Sequence, residues 1–304
     1  MRVELPATAS TMCAAWLLAA SVVIGAHAPP PPGECAAGAR NITLTAEPPS
    51  WACARVKTLV LIRHAEGTHN EAEAAEEARP THHLREEHAA LHASHGKAWV
   101  LLHAATGDRY LDPILTAEGE RQAERLHAQM AALGVRVDAV ALSPMRRTLQ
   151  TAHVGIPQLR APATRPRVLA TELLRERVGP YTCDGRLPVS TLRDSFAHVD
   201  FSQVGEADTL FAYGKEHGDG EALKLAERAE RAARWLLALP DELEHVAVVS
   251  HQHFLRAFTS RHAPSDDAAA ADARAREEEA AREQHAGRMF RNAEMQTAHL
   301  CERS

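Results

Sequence analysis

Four short stretches of this sequence combine side chains that bind phosphate with side chains that move protons. They are Arg63-His64, Ser143-Pro144-Met145-Arg146-Arg147, Glu176 and Ser250-His251. A neutral imidazole nitrogen attacks phosphorus when the other ring nitrogen is held as a donor. Fixed guanidinium groups stabilise the charge that spreads over a transferring phosphoryl group, and their fork matches phosphate oxygens better than an ammonium does. A carboxylic acid beside the leaving oxygen protonates it, then activates water to release the phosphate. Together these residue types suit phosphoryl transfer through a covalent histidine intermediate.

Each stretch follows a short apolar run. Val56–Ile62 is rich in strand formers and ends at Arg63; Val137–Leu142 ends at Ser143. Val168–Thr171 precedes Glu176, and Val246–Val249 ends at Ser250. Runs of this length read as buried strands. Helical patterns lie between them. One opens at Thr116, a capping residue followed by an acidic first turn, and reaches about Leu133 before Gly134. Another runs from about Glu221 to Leu239 and stops at Pro240. Strands alternating with helices predict a three-layer α/β/α sandwich with a mostly parallel central sheet. In such a sheet ligands bind beyond the carboxyl ends of the strands. The two histidines, the arginines and the glutamate therefore converge on one edge.

The chain resembles the histidine phosphatase superfamily, with its phosphoglycerate mutase-like fold, from about Val56 to Leu300. Arg63-His64-Ala65-Glu66-Gly67-Thr68-His69-Asn70 resembles the signature in which Arg-His-Gly is followed by an Asn. Ser143–Ala152 resembles the second motif, whose basic residue falls on Arg147. Leu174–Gly179 resembles the segment bearing the acid/base, on Glu176, and Val249-Ser250-His251 the second-histidine motif. Cys183–Arg186 and Asp200–Ser202 resemble a branch common in plants, algae and fungi. The resemblance implies His64 as nucleophile, with Arg63, Arg147 and His251 clamping the phosphate and Asn70 reaching it. It implies Glu176 as proton donor, ahead of Glu172 and Glu66, and no metal or other cofactor. The chain departs from the family pattern at Ala65, where Gly is usual, and at Gln252 and His253, where relatives often carry small residues. Two bulky side chains there would narrow the pocket or add substrate contacts.

The rest of the chain sets the context. Of 304 residues, 45% are hydrophobic but only 4% aromatic, so the core must be built from Ala, Leu and Val. A formal charge of −6 argues against a nucleic-acid partner held through its phosphates. The apolar run Cys13–Ile24 makes residues 1–28 a signal peptide or an uncleaved membrane anchor, with organelle targeting a weaker alternative. The sequon Asn41-Ile42-Thr43 fits a secretory or extracellular location. Residues 29–55 read as a Pro/Ala/Gly-rich linker and 56–304 as one domain, with insertions near 71–107 and 265–287. Cys35, Cys53, Cys183 and Cys301 would remain after leader removal. Cys35 could pair with Cys53, and four unpaired thiols are equally compatible with the spacing. His82, His83, His88, His92 and His95 are too loosely spaced for a metal site and read as solvated.

The function expected is hydrolysis of a small phosphomonoester through phospho-His64. The alternatives are phosphoglycerate mutase-type transfer, and a catalytically weak phosphate-binding protein of the same fold.

Overall fold

The computed structural model describes residues 42–77, 110–134, 136–161, 165–178, 182–211, 221–263 and 289–304. Six strands form one sheet: β1 (Ile42–Thr45), β2 (Cys53–Arg63), β3 (Ala139–Leu142), β4 (Arg167–Ala170), β5 (His245–Ser250) and β6 (Met295–Arg303). Their order is β1-β6-β2-β5-β3-β4. The pairs β2/β5, β5/β3 and β3/β4 are parallel, while β6 runs antiparallel to β1 and β2. The helices are α1 (Thr68–Glu77), α2 (Ala117–Leu133), α3 (Arg146–Gly155), α4 (Val189–Ser195), α5 (Glu221–Leu237) and α6 (Gln252–Arg261).

The four parallel strands are continuous apolar runs because both sheet faces are buried. Successive residues alternate between two cores. Leu59, Leu61, Val246 and Val248 pack under α5 and α6, against Ala229, Leu236, Phe254 and Phe258. Val60, Ile62, Ala247 and Val249 pack on the other side, against Leu126 of α2, Leu149 of α3 and Leu192 of α4. The result is the expected three-layer α/β/α sandwich.

Register then sets the site. Ile62 pairs with Val249, Val249 with Leu142, and Leu142 with Ala170. The next residues of all four strands therefore leave the sheet side by side. The His64 amide donates to the Ser250 carbonyl (2.9 Å), and the Ser143 amide to that of Val249 (3.1 Å).

Several expectations change. The sheet begins before Val56, because β1 and the first residues of β2 lie in the stretch read as linker. Their polar, irregular sequence gives no apolar run to detect, and β1 is held by pairing with β6. Cys53 is bonded to Cys301 of the adjacent β6, not to Cys35. Cys183 is a buried free thiol. The expected insertion at 71–107 starts inside α1. Its remainder, the segment 265–287, the leader 1–28, Asn41, Cys35 and the histidines at 82, 83, 88, 92 and 95 lie outside the described residues. Among the described residues no helix is long and apolar enough to cross a membrane. Among them, too, no group of His, Cys, Asp and Glu is arranged to hold a metal ion.

Candidate active site

His64 and His251 end the two central parallel strands, and their ring centroids stand 5.0 Å apart, edge to face. Both rings are buried. His64 Nδ1 lies 2.7 Å from the Ala65 carbonyl oxygen. A carbonyl only accepts, so Nδ1 carries the proton and Nε2 the lone pair. Burial, followed by the charges of Arg147 and Arg63, holds the His64 pKa well below the usual imidazole range. His251 is held low in the same way, by burial, Arg147 and His64. Its Nε2 pairs with Ser143 Oγ at 2.9 Å, and its Nδ1 is buried with no hydrogen-bond partner among the described residues.

The arginines are fixed by backbone carbonyls. Arg63 Nη1 donates to Phe290 O (2.7 Å), in the segment leading to β6. Arg147 is fully buried in the first turn of α3, and its Nη1 donates to Cys183 O (2.9 Å). The Nε atoms of both are buried without a hydrogen-bond partner among the described residues. Arg146 takes a different part. Its Nε donates to Asp112 O (2.6 Å) and its backbone N–H to Asp112 Oδ1 (2.8 Å), which ties α3 to the preceding loop.

Glu176 sits at the N-terminus of α6. Oε1 accepts from the backbone N–H groups of Arg177 (2.8 Å) and Phe254 (3.2 Å). Oε2 accepts from the N–H of His253 (3.1 Å) and approaches His253 Nδ1 at 3.3 Å. Burial pushes the carboxyl pKa up, but the His253 ring and these backbone donors outweigh it and hold it well below the usual carboxylate range. The positive end of the helix favours the same charged form. The charge of Glu176 acts on both His64 and Arg63.

Glu172 belongs to the scaffold. It bridges Arg175 (2.9 Å) and Arg186 (2.8 Å), and Arg175 also pairs with Asp208 (3.0 Å). Arg175 further donates to Asp184 O. This buried network joins the Glu176 loop to the segment whose Cys183 carbonyl holds Arg147. Glu66 accepts from Thr116 Oγ1 at 2.6 Å, beside the His64 loop. Asn70 uses Oδ1 to accept from the Gly67 N–H (3.1 Å), and its Nδ2 lies 3.5 Å from Glu73. The structure thus brings His64, His251, Arg63, Arg147 and Glu176 together, and places Asn70 as a brace for the turn after β2.

Sequence reading passed over three contributors. His69 is buried in the first turn of α1 with its ring 5.9 Å from His64; its place in the signature segment was a usable signal. Thr151, one turn after Arg147, accepts from the Ala65 N–H (2.9 Å) and fixes the His64 loop. Asp112, fully buried at φ 45°, joins α3 to Leu187 (3.0 Å) through its carboxylate. Only the turn-forming Asp112-Pro113 pair marked it in the sequence.

A phosphoglycerate mutase-like protein of Arabidopsis thaliana is 29% identical over 233 residues, covering 68% of this chain and 74% of its own. A probable phosphatase of Schizosaccharomyces pombe is 26% identical over 155 residues, covering 51% and 69%. An ecdysone phosphate phosphatase of Bombix mori superposes over 67% of this chain and 76% of its own, at 17% identity and a TM-score of 0.42, an overlap too partial to carry an argument. The profile of the histidine phosphatase superfamily (branch 1) matches residues 95–275, more than half of the chain, which takes in Arg147, Glu176 and His251 and begins after His64. The chain belongs to branch 1 of the histidine phosphatase superfamily.

Proposed function

We propose that the protein hydrolyses a small phosphomonoester in two steps, through a phosphoryl group carried on His64 Nε2. The observation that supports this most is the buried His64 ring itself. Its Nδ1–H is committed to the Ala65 carbonyl, and burial with two arginines keeps the ring uncharged, so Nε2 is an available nucleophile at neutral pH. Arg63 and Arg147 stand where charge builds on the transferring group, already oriented by their carbonyl partners. His251, neutral in the free protein, gains affinity for a proton beside a phosphate dianion and adds a third donor. Glu176 serves the proton transfers at the leaving oxygen. In the ligand-free protein it is held as a carboxylate, the form that accepts the proton of the attacking water in the second step.

The test is turnover of a panel of phosphate esters by the wild type and His64→Ala. The substitution should lower kcat by about three orders of magnitude or more, as loss of a covalent nucleophile does. Equal activity in both proteins contradicts the nucleophile assignment. Transfer of the phosphoryl group to a second hydroxyl would make the protein a mutase, and phosphate binding without turnover would make it a binding protein.

A secretory route is part of the same reading. The Cys53–Cys301 disulfide suits an oxidising compartment, as do the apolar leader and the sequon at Asn41. N-terminal sequencing of the secreted or membrane fraction checks it, and an intact Met1 in a cytosolic pool contradicts it.

A further inference from the structure

The carbonyl oxygen of His64 accepts two hydrogen bonds from one short turn of the chain. Asn292 Nδ2 donates to it at 3.2 Å and the Ala293 backbone N–H at 3.3 Å. Asn292 lies 228 residues after His64, just before β6 begins. The turn is closed on itself. The Arg291 N–H donates to Glu294 Oε2 (2.7 Å), and the Glu294 N–H to the Arg291 carbonyl (3.0 Å). Ala293 holds a left-handed φ of 56° and packs with the cluster of Ala65, Leu115 and Ala123. A residue with a Cβ takes that conformation only under strain, and strain of this kind concentrates at functional sites. The same segment carries the Phe290 carbonyl that holds Arg63.

These bonds hold the peptide plane between His64 and Ala65. Its carbonyl is fixed by Asn292 and Ala293, and its N–H donates to Thr151 Oγ1 (2.9 Å). The plane sets where Ala65 stands, and the Ala65 carbonyl in turn accepts from His64 Nδ1 (2.7 Å). That last bond decides which ring nitrogen carries the proton. If the plane turns, the Ala65 carbonyl moves away from Nδ1, and the proton is no longer held there. Of the three groups that pin the plane, Asn292 and Thr151 act through side chains. Thr151 lies one turn from Arg147 on the same helix, whereas Asn292 reaches in from the far end of the chain.

We infer that Asn292 is a positioning residue for the nucleophile: it fixes the His64–Ala65 peptide plane and so keeps His64 in the Nδ1–H form, with Nε2 free to attack. This rests on the phospho-His64 reading. Asn292 acts through the backbone of His64, and the part it supplies is one uncharged donor.

The experiment compares the wild type with Asn292→Leu, which keeps the branched outline without the donor, and with Asn292→Ala. Rapid release of p-nitrophenol from p-nitrophenyl phosphate, with enzyme in excess, gives the rate of the first step. Competition by inorganic phosphate reports on the arginine clamp. Long-range 1H–15N spectra report the His64 tautomer, assigned by comparison with His64→Ala. Both variants should slow the first step about tenfold or more, the scale of a slightly misplaced nucleophile. Inorganic phosphate should bind within about threefold of the wild type, because uniform binding is retained. The spectra should show an Nε2–H form of His64 beside the Nδ1–H form. A first step as fast as the wild type in both variants overturns the role of Asn292 and leaves phospho-His64 intact. So does a loss of phosphate affinity as large as the loss of rate, or a His64 ring that stays wholly Nδ1–H. Absence of a phosphoenzyme in the wild type overturns the parent reading, and this one with it.

Discussion

At the scale of single residues, the proposed mechanism depends on keeping imidazoles uncharged, for His64 can attack phosphorus only when Nε2 is free of a proton. Burial and the charges of Arg147 and Arg63 hold its pKa well below the ordinary imidazole value of about 6.5. Lowering the pKa extends the neutral form to more acid pH. The acid limb of the kcat/KM profile should therefore lie below pH 6.5, with activity undiminished as pH falls through that value. A limb centred at 6.5 or above, measured with an aryl phosphate that needs no general acid, contradicts this assignment of the charges. The place of the Arg146-Arg147 pair at this sheet edge was legible in the sequence, because Ser143–Arg147 follows a strand end. The division of labour between Arg146 and Arg147 was not, since it depends on Asp112, 34 residues away, which takes up Arg146.

At the scale of elements, the His64 loop is held from one side by the start of α2. Thr116 caps that helix by accepting from the Gly119 N–H (2.9 Å), and its hydroxyl donates to Glu66 (2.6 Å). Its backbone N–H bonds the Glu66 carbonyl at 3.0 Å. Gly119 makes this approach possible, for a Cβ there would stand 2.1 Å from the Glu66 carbonyl oxygen. Gly119→Ala must part α2 from the loop. It should cost about 1–3 kcal/mol in urea unfolding, the scale of overpacking, and lower kcat by displacing His64. A variant of wild-type stability and activity contradicts that contact.

The start and end of α2 were legible, from the Thr116 cap and from Gly134, which takes the left-handed φ of 61° that glycine tolerates. The parallel strands were legible too, because burial on both faces demands unbroken apolar runs. Two strands, β1 and β6, escaped. Met295–Arg303 mixes Gln, Thr, His and Glu with its buried residues, and its burial alternates only in part. Their place is set by pairing across 248 residues of sequence, closed by Cys53–Cys301, and no local signal reports such a pairing. The Glu176–His253 contact was hidden for a similar reason. Each residue stood out alone, but only the packing of α6 against the loop after β4 brings them together.

At the scale of the whole molecule, the site makes stability depend on pH. The unfolded chain binds protons on histidine below about pH 6.5, whereas folded His64 and His251 resist them. Stability is therefore complete above that value and falls as the pH drops below it. Glu176 acts in the same direction at lower pH. Its folded pKa is depressed, so its contribution is full above about pH 4.5 and is lost as the carboxylate is protonated. Tm should fall from pH 7.5 to pH 5. Inorganic phosphate, an anion that pairs with the protonated rings, should reduce that fall. His64→Ala should flatten the profile. A Tm independent of pH over this range, or one that rises toward acid, contradicts the placing of uncharged imidazoles in the site.

The claim on which the rest depends is that the phosphoryl group passes through His64 Nε2. The direct measurement is to quench the enzyme during turnover of an aryl phosphate and locate the phosphate by peptide mass spectrometry and 31P NMR. The expected product is a phosphoramidate that is stable to alkali and lost in acid, on Nε2 of His64, and absent from His64→Ala. A phosphate found on another residue, or hydrolysis that proceeds at full rate with no phosphoenzyme, would contradict it.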